Sequence, residues 1–223
     1  MRHQVLRRAQ QVSLIIAVAA VAVCGWLIYR RLQQRSEEQA DLLDGTRIGI
    51  VAGHSGYDSG AVCPDGLTEA EVNLAIATRT AERLRHAGAE VDLLEVFDAR
   101  LHGYRADAFV SIHADSCEGE LSGFKVARVD QSAVPQAEDR LVDCLWQWYE
   151  QVTGLSPHPG SITYDMRDYH AFREIDPLTP GAIIEVGFLG GDRRLLTNQP
   201  ERLARGVAEG ILCFLTDPEG QAR

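Results

Sequence analysis

Short runs rich in β-branched residues alternate with helical patterns along most of this 223-residue chain, and this alternation restricts the possible folds more than any other feature. The runs cover residues 47–52, 91–96, 108–113, 123–129 and 182–186. Alternation of this kind is typical of βαβ units, in which successive strands lie parallel and the connecting helices cover the sheet. We therefore predict a single α/β domain with a mostly parallel, twisted sheet flanked by helices.

Three helices are expected between and after these runs. The first begins after Thr68, and its apolar residues recur at helical spacing up to a stop signal at Gly88. The other two cover residues 136–152 and 201–215. With 45% hydrophobic and 24% charged residues the composition is that of an ordinary globular protein, and no second folded domain is expected.

An uncharged segment at residues 12–29, VSLIIAVAAVAVCGWLIY, lies between arginines on both sides. At a rise of about 1.5 Å per residue it just spans the hydrocarbon of a bilayer, and Trp26 falls where interfacial aromatic residues are found. We predict a short N-terminal tail at residues 1–11, a transmembrane helix at 12–29 and a polar juxtamembrane stalk at 30–45.

A cleaved signal peptide and a lipid-modified Cys24 stay open as alternatives for this segment. The segment lacks a small-residue cleavage site, and Val23 precedes the cysteine, so both fit less well than an anchor. The arginines are balanced on the two sides, so charge bias does not set the orientation of the helix.

The charge of the chain argues against a nucleic-acid partner. The formal net charge is -10, and the lysines and arginines of the part after the stalk are scattered. No basic stripe is available to neutralise phosphates, so binding to nucleic acid is not expected.

Three polar residues fall near the ends of predicted strands: His54, His113 and Glu185. In open α/β sheets ligands bind outside the carboxyl ends of the strands, so these side chains are expected to converge on one crevice. Each histidine taken alone is more simply a hydrogen-bonded structural residue. Their convergence is what favours a metal site.

A third metal ligand is expected from the start of the first helix. Thr68 and Glu71 match a capping box, in which the hydroxyl and the carboxylate satisfy each other's backbone donors. Glu69 is not committed to that cap and can point into the crevice. The competing interpretation is that Glu69 only complements the helix dipole.

Four segments in order along the chain carry a resemblance to a known family: residues 48–61 (IGIVAGHSGYDSGA), 69–74 (EAEVNL), 111–115 (SIHAD) and 185–189 (EVGFL). They resemble the motifs of the zinc-dependent N-acetylmuramoyl-L-alanine amidases, over about residues 47–215. The resemblance implies that His54, Glu69 and His113 hold one zinc ion. It also implies that Glu185 is the catalytic residue.

The resemblance further implies a substrate and a location. The bond cut would join the lactyl group of N-acetylmuramic acid to L-alanine in peptidoglycan, with residues 46–216 as the zinc amidase domain and 217–223 as a C-terminal tail. The expected location is the cell membrane, with a single span and the catalytic domain outside the cytoplasm. Another zinc peptidase of the cell wall and an inactive wall-binding regulatory module are the alternatives.

The chain departs from the family pattern at several places. Val51-Ala52 stands where the family usually has Asp-Pro, and Gly190-Gly191 where Ser-Asn or Thr-Asn is common. Residues 91–113 form a shorter stretch that lacks the Thr-Arg typical of the second strand's end and the Asn typical before the third strand. No proposed ligand is lost, but the family's substrate contacts on that side cannot be transferred.

Three further polar residues are weaker candidates for the site. His170 is the one other histidine kept as a candidate. Arg167 and Arg173 could bind a peptide carboxylate through paired hydrogen bonds, although a solvated loop accounts for them more simply.

The cysteines after the membrane segment allow more than one pairing. Cys63 follows the His54 loop and Cys117 follows His113, so a bridge beside the site is as plausible as two free thiols. Cys144 and Cys213 fall within helical patterns, and we expect them to be small buried apolar side chains. The sequence predicts no oligomeric state.

Overall fold

The computed structural model describes residues 42–217 together with Trp26 and Arg30. The predicted tail at 1–11, the predicted membrane span at 12–29 apart from Trp26, and stalk residues 31–41 lie outside the described residues. Among the residues that are described, no helix has both the length and the hydropathy needed to cross a bilayer.

A five-stranded sheet forms the centre of the domain. Its strands are β1 (Arg47–Ala52), β2 (Glu90–Leu94), β3 (Ala108–Asp115), β4 (Lys125–Ala127) and β5 (Gly181–Phe188). Their order is β2-β1-β3-β5-β4, in which the first four are parallel and β4 runs antiparallel to β5. The prediction of a single α/β domain with a mostly parallel sheet is confirmed.

Six α-helices lie in the described part of the chain. The three long ones are α1 (Glu69–His86), α2 (Pro135–Thr153) and α6 (Pro200–Thr216), close to the predicted bounds. Three short helices were not predicted from the sequence: α3 (Tyr164–Arg167), α4 (His170–Glu174) and α5 (Arg193–Asn198). Segments of this length are too short to show a helical period.

The sheet is buried on both faces. Ile50, Val110 and Ile184 belong to the core shared with α1, α2 and α6. Phe109 directly precedes Val110 in β3, and Ile183 directly precedes Ile184 in β5. Both pack with residues of α3 and α4 on the opposite face of the sheet. Alternate residues of a strand point to opposite faces, so covering both faces explains why the strands read as almost uninterrupted apolar runs.

Two disulfides join distant parts of the domain. Cys63 is bonded to Cys117, which was one of the two alternatives left open for that pair. Cys144 is bonded to Cys213, so the prediction of two separate apolar thiols was wrong. The reason lies in helix packing, because a Cβ at Gly210 would lie 2.8 Å from the Cα of Leu145. This glycine lets α6 approach α2 closely enough for the cysteines to meet, and the period of either helix alone does not reveal that approach.

Candidate metal centre and active site

Two imidazoles and one carboxylate meet at the carboxyl end of the sheet. His54 lies in the loop after β1, His113 lies within β3, and Glu69 is the first residue of α1. One ligand atom from each residue lies within 4.8 Å of those of the other two. The structure therefore brings the three predicted zinc ligands together.

The carboxylate of Glu69 lies between the two rings. Its Oε2 is 3.3 Å from His54 Nε2, and its Oε1 is 3.1 Å from His113 Nδ1. Glu69 and His113 are buried, while the side chain of His54 is 28% exposed. The centre is thus enclosed on the sheet side and open to solvent beside His54.

The helix start places Glu69 as the capping argument predicts. The Glu71 carboxylate accepts from the Thr68 amide at 3.1 Å, and the Thr68 hydroxyl accepts from the Glu71 amide at 3.2 Å. The cap uses Glu71 alone, which leaves the Glu69 side chain free to enter the crevice.

The backbone of His54 has a left-handed conformation, with φ 65°. Non-glycine residues adopt it infrequently, and such residues concentrate at functional sites where their surroundings hold them in place. Here Asp58 Oδ1 lies 2.5 Å from His54 Nδ1 and also accepts from the Gly60 amide at 2.9 Å. This contact fixes the ring so that Nε2 faces Glu69, as a carboxylate behind a metal-bound histidine does.

A buried amide orients Glu69 in the same way. Asn73 Nδ2 donates to Glu69 Oε1 at 3.1 Å and to the Gly53 carbonyl at 3.1 Å. Neither Asn73 nor Asp58 was predicted from the sequence to have a role in the site. The available signal was spacing, because each follows a proposed ligand by four residues and can therefore fold back on it.

The pKa values of the centre reflect these contacts. Burial acts to raise the pKa of Glu69, but hydrogen bonds to His113 and His54 outweigh it and hold that pKa well below its ordinary value. The hydrogen bond to Glu69 raises the pKa of His54 to about 9. The pKa values of Glu69 and His54 are thus shifted in opposite directions by their mutual contact, and perturbed pKa values of this kind are typical of functional sites.

Glu185 lies beside this cluster on β5. In the sheet its Cα is paired with that of His113 on one side and that of Lys125 on the other, so the three side chains share a face. The residue is half-buried, and its Oε2 is enclosed without a hydrogen-bond partner. Burial, and then the charges of Glu69 and Asp115, raise the pKa of Glu185 to about 8.

Lys125 is a buried cation that the sequence analysis missed. Its Nζ lies 2.5 Å from Asp115 Oδ2 and donates to the Ser161 carbonyl at 2.8 Å. Its charge acts to lower the pKa of Glu185. The available signal was its position within the predicted strand run 123–129, because a lysine in a buried strand needs a charged partner.

The remaining candidates do not join the cluster. His170 begins α4 and contacts Tyr169, whose ring lies 5.4 Å from that of His113. Arg173 pairs with Asp168 at 2.6 Å, and together with Arg167 it lines a separate cavity of about 350 Å³. Lys125 begins β4 on the side of the metal centre, whereas this cavity lies beyond Ala127, the other end of the strand. Neither arginine therefore reaches the metal centre.

The donor set fits a catalytic zinc site. Two imidazole nitrogens and one carboxylate make up the three protein ligands of known catalytic zinc sites, which leave a fourth position open. In the part of the chain that the structure describes, this is the one such group of His, Cys, Asp and Glu side chains. The partly exposed His54 lies on the side from which a substrate could enter.

Comparison with known proteins agrees with this geometry. The sequence profile of the family Amidase_3, described as N-acetylmuramoyl-L-alanine amidase, matches residues 48–213. The N-acetylmuramoyl-L-alanine amidase AmiC of Neisseria meningitidis serogroup B is 42% identical over 78 residues, which are 31% of this chain and 19% of that protein. The chain spans less than half the length of the curated relatives it matches.

Two solved structures extend the similarity over most of the domain. The N-acetylmuramoyl-L-alanine amidase AmiC2 of Nostoc punctiforme is 26% identical, with a TM-score of 0.64 over 77% of this chain and 98% of its own. The catalytic domain of CwlV, an N-acetylmuramoyl-L-alanine amidase from Bacillus (Paenibacillus) polymyxa var. colistinus, is 28% identical, with a TM-score of 0.63 over 76% and 98%. From the profile match and these structures, the chain belongs to the N-acetylmuramoyl-L-alanine amidase family.

Proposed function

We propose that this chain hydrolyses the amide bond between the lactyl group of N-acetylmuramic acid and L-alanine in peptidoglycan. In this proposal His54, Glu69 and His113 hold one zinc ion, and Glu185 is the catalytic acid and base. The observation that carries it is the convergence, within 4.8 Å, of one atom from each proposed ligand beside a carboxylate oxygen that has no partner.

Each residue of the centre has a defined task. His54 Nε2, His113 Nδ1 and the Glu69 carboxylate would hold the zinc ion. When bound, zinc supplies Lewis acidity, which polarises a carbonyl and acidifies water. Asp58 and Asn73 keep the ligand atoms oriented toward one point, so the binding geometry exists before the substrate arrives.

Glu185 carries the proton transfers. Its Oε2 takes a proton from the attacking water and delivers it to the nitrogen of the leaving L-alanine, so the amide C–N bond breaks while a C–O bond forms. Because no protein group donates to Oε2, this atom is free to accept that proton. Burial and the charges of Glu69 and Asp115 raise the pKa of Glu185 to about 8. The positive charge of a bound zinc ion would lower this pKa toward neutral pH, where one carboxylate can both accept and donate a proton.

The proposed location is the cell membrane, with the catalytic domain outside the cytoplasm. The apolar segment at residues 12–29 supports a single anchor. The bonded pairs Cys63–Cys117 and Cys144–Cys213 support an oxidising compartment, because disulfides persist there and are rare in the cytosol.

Paired variants test the assigned roles. We expect Glu185→Ala to retain bound zinc but to lose turnover of purified peptidoglycan, whereas His113→Ala loses both. Zinc content is measured by mass spectrometry, and turnover by release of soluble peptides. A Glu185→Ala protein that digests cell walls at the wild-type rate would contradict the role of Glu185, and a His113→Ala protein with full zinc would contradict the ligand set.

A further inference from the structure

Two exposed aromatic side chains pack against each other at the rim of the active site. Tyr57 is 68% exposed and Phe97 is 54% exposed. Their rings lie 4.6 Å apart at an interplanar angle of 77°, so together they form a right-angled apolar recess. We call this pair the aromatic corner. Because the two exposed apolar rings adjoin each other, they form a candidate interaction surface.

The corner is held in place by the backbone. Val96, next to Phe97, donates its amide to the Ser55 carbonyl at 3.2 Å. Gly56 has φ 76°, and a Cβ at this position would overlap the carboxylate of Glu95. The glycine thus allows the His54 loop to lie directly against the segment after β2. The two rings therefore meet before any ligand binds, which reduces the entropy lost on binding.

The aromatic corner is continuous with the metal centre. The Tyr57 amide donates to the carbonyl of the proposed ligand His54 at 3.1 Å. From Phe97 a row of rings leads inward, with centroids 4.5 Å apart between Phe97 and His170, 4.6 Å between His170 and Tyr169, and 5.4 Å between Tyr169 and His113. Ring contacts therefore connect the corner to the metal centre through the buried Tyr169.

The charges around the corner favour a neutral ligand. Asp58 and Asp98 are the chain neighbours of the two rings, and Glu95 lies against the loop that carries Tyr57. The nearby Arg100 is already paired with Asp98 at 2.6 Å. Because its pairing with Asp98 engages Arg100, this cation is not left to bind the carboxylate that ends a stem peptide. An N-acetylated sugar is uncharged, and its ring has an apolar C–H face that can pack on an aromatic side chain.

We propose that the aromatic corner is a glycan subsite, which binds a neutral N-acetylated sugar next to the muramoyl residue that carries the scissile amide. This inference rests on the proposed function, because it assigns part of the same substrate.

Binding of glycan alone tests the subsite directly. The probe is a soluble, uncharged oligomer of N-acetylglucosamine, titrated into the protein by calorimetry. We expect the double variant Tyr57→Ala/Phe97→Ala to bind about tenfold more weakly than the wild type. Phe97→Trp keeps a ring and should retain the affinity.

Tyr164 provides the matched control, because it is an aromatic residue that is 71% exposed and lies away from the metal centre. Tyr164→Ala should bind the glycan like the wild type. No measurable wild-type binding, equal binding by the double variant, or an equal loss in Tyr164→Ala would each overturn the subsite. All three positions are exposed, so thermal denaturation should show little change in folding.

Hydrolysis separates the failure of the subsite from the failure of the proposed function. The substrates are a muramoyl peptide without neighbouring sugars and the same peptide within a glycan strand. For the glycan strand, the double variant should raise KM and leave kcat nearly unchanged, because it removes binding that is equal in the ground state and the transition state. For the muramoyl peptide without neighbouring sugars, neither KM nor kcat should change. Equal loss on both substrates overturns the subsite. A wild type that cleaves neither substrate contradicts the proposed function, and the glycan titration still decides the subsite.

Discussion

Replacing Glu185 by glutamine should slow catalysis by orders of magnitude and at the same time stabilise the fold. Glutamine has nearly the same shape but cannot take a proton from water. Because general acid and base catalysis contributes a factor of about 100 to 10,000, we expect kcat to fall by that factor, which corresponds to about 3 to 5 kcal/mol in the barrier. Since Oε2 has no partner, no hydrogen bond to this atom is lost.

The gain in stability follows from the pKa of Glu185, which burial and neighbouring acids raise from 4.5 to about 8. Between these values the unfolded chain releases a proton that the native protein keeps, so wild-type stability falls as pH rises. Each pH unit contributes about 1.4 kcal/mol, which amounts to about 3 kcal/mol at pH 7. This is an upper value, because Glu185 is half-buried and solvent screens part of the effect.

The assay is urea denaturation of both proteins at pH 7 and at pH 4.5, with a chelator present so that both are metal-free. Glu185→Gln should have the larger free energy of unfolding at pH 7, and the difference should nearly vanish at pH 4.5. Because the two proteins are compared at the same pH, the contributions of all other titrating groups to the free energy of unfolding cancel. Activity is measured separately with zinc restored.

Two results would refute this reasoning. If Glu185→Gln is less stable than the wild type at pH 7, the carboxyl forms a structural interaction that outweighs the loss of stability caused by its raised pKa. If the variant keeps wild-type kcat, Glu185 is not the group that moves the proton.

Three further predictions concern the surroundings of the site and the fold. Asn73→Ala removes a donor from Glu69, and zinc affinity measured by chelator competition should fall about 10- to 100-fold; unchanged affinity would exclude a positioning role. Cys144→Ala/Cys213→Ala opens a loop with a sequence separation of 69, so the free energy of unfolding should drop by up to about 4 kcal/mol, and a drop below about 1 kcal/mol would show that the bond does not constrain the unfolded chain. Asp92→Asn should lose about 1 to 2 kcal/mol at pH 7, because burial acts to raise the pKa of Asp92 but its hydrogen bonds hold that pKa below the usual value. The wild type's advantage should shrink as pH falls below the ordinary value of 3.8 and through that lowered pKa, and an advantage that does not shrink below pH 3.8 would contradict the assignment.

The elements that the sequence predicted well are those set by local chemistry. The bounds of β1 match the predicted run, and the long helices end within one or two residues of the expected positions. The position of Glu69 followed from the capping box at Thr68 and Glu71. Each of these features depends on residues within a few positions of each other, so the pattern carries the information.

The convergence of the site was predictable because parallel strands end at the same edge of a sheet. Its details were not. His113 does not end its strand, since β3 continues to Asp115 after a register shift relative to β5. Glu185 also lies within β5 and not at its end. Strand ends depend on pairing with neighbouring strands, which the pattern of a single strand does not specify.

The features that were missed depend on contacts between distant segments. The Lys125–Asp115 pair requires β4 to be placed beside β5, and the Cys144–Cys213 bond requires the close approach of α6 to α2 at Gly210. The aromatic corner likewise depends on the His54 loop meeting the segment after β2. None of these contacts has a periodic signal in the sequence.

The most direct test of the central claim is mass spectrometry of the products that the purified protein releases from peptidoglycan, with and without a chelator. The proposed chemistry predicts intact stem peptides with a free L-alanine amine and glycan strands that keep their lactyl groups. Release should stop with the chelator and return when zinc is added. Cleavage between amino acids of the stem peptide, or release that the chelator does not affect, would contradict a zinc-dependent amidase centred on His54, Glu69 and His113.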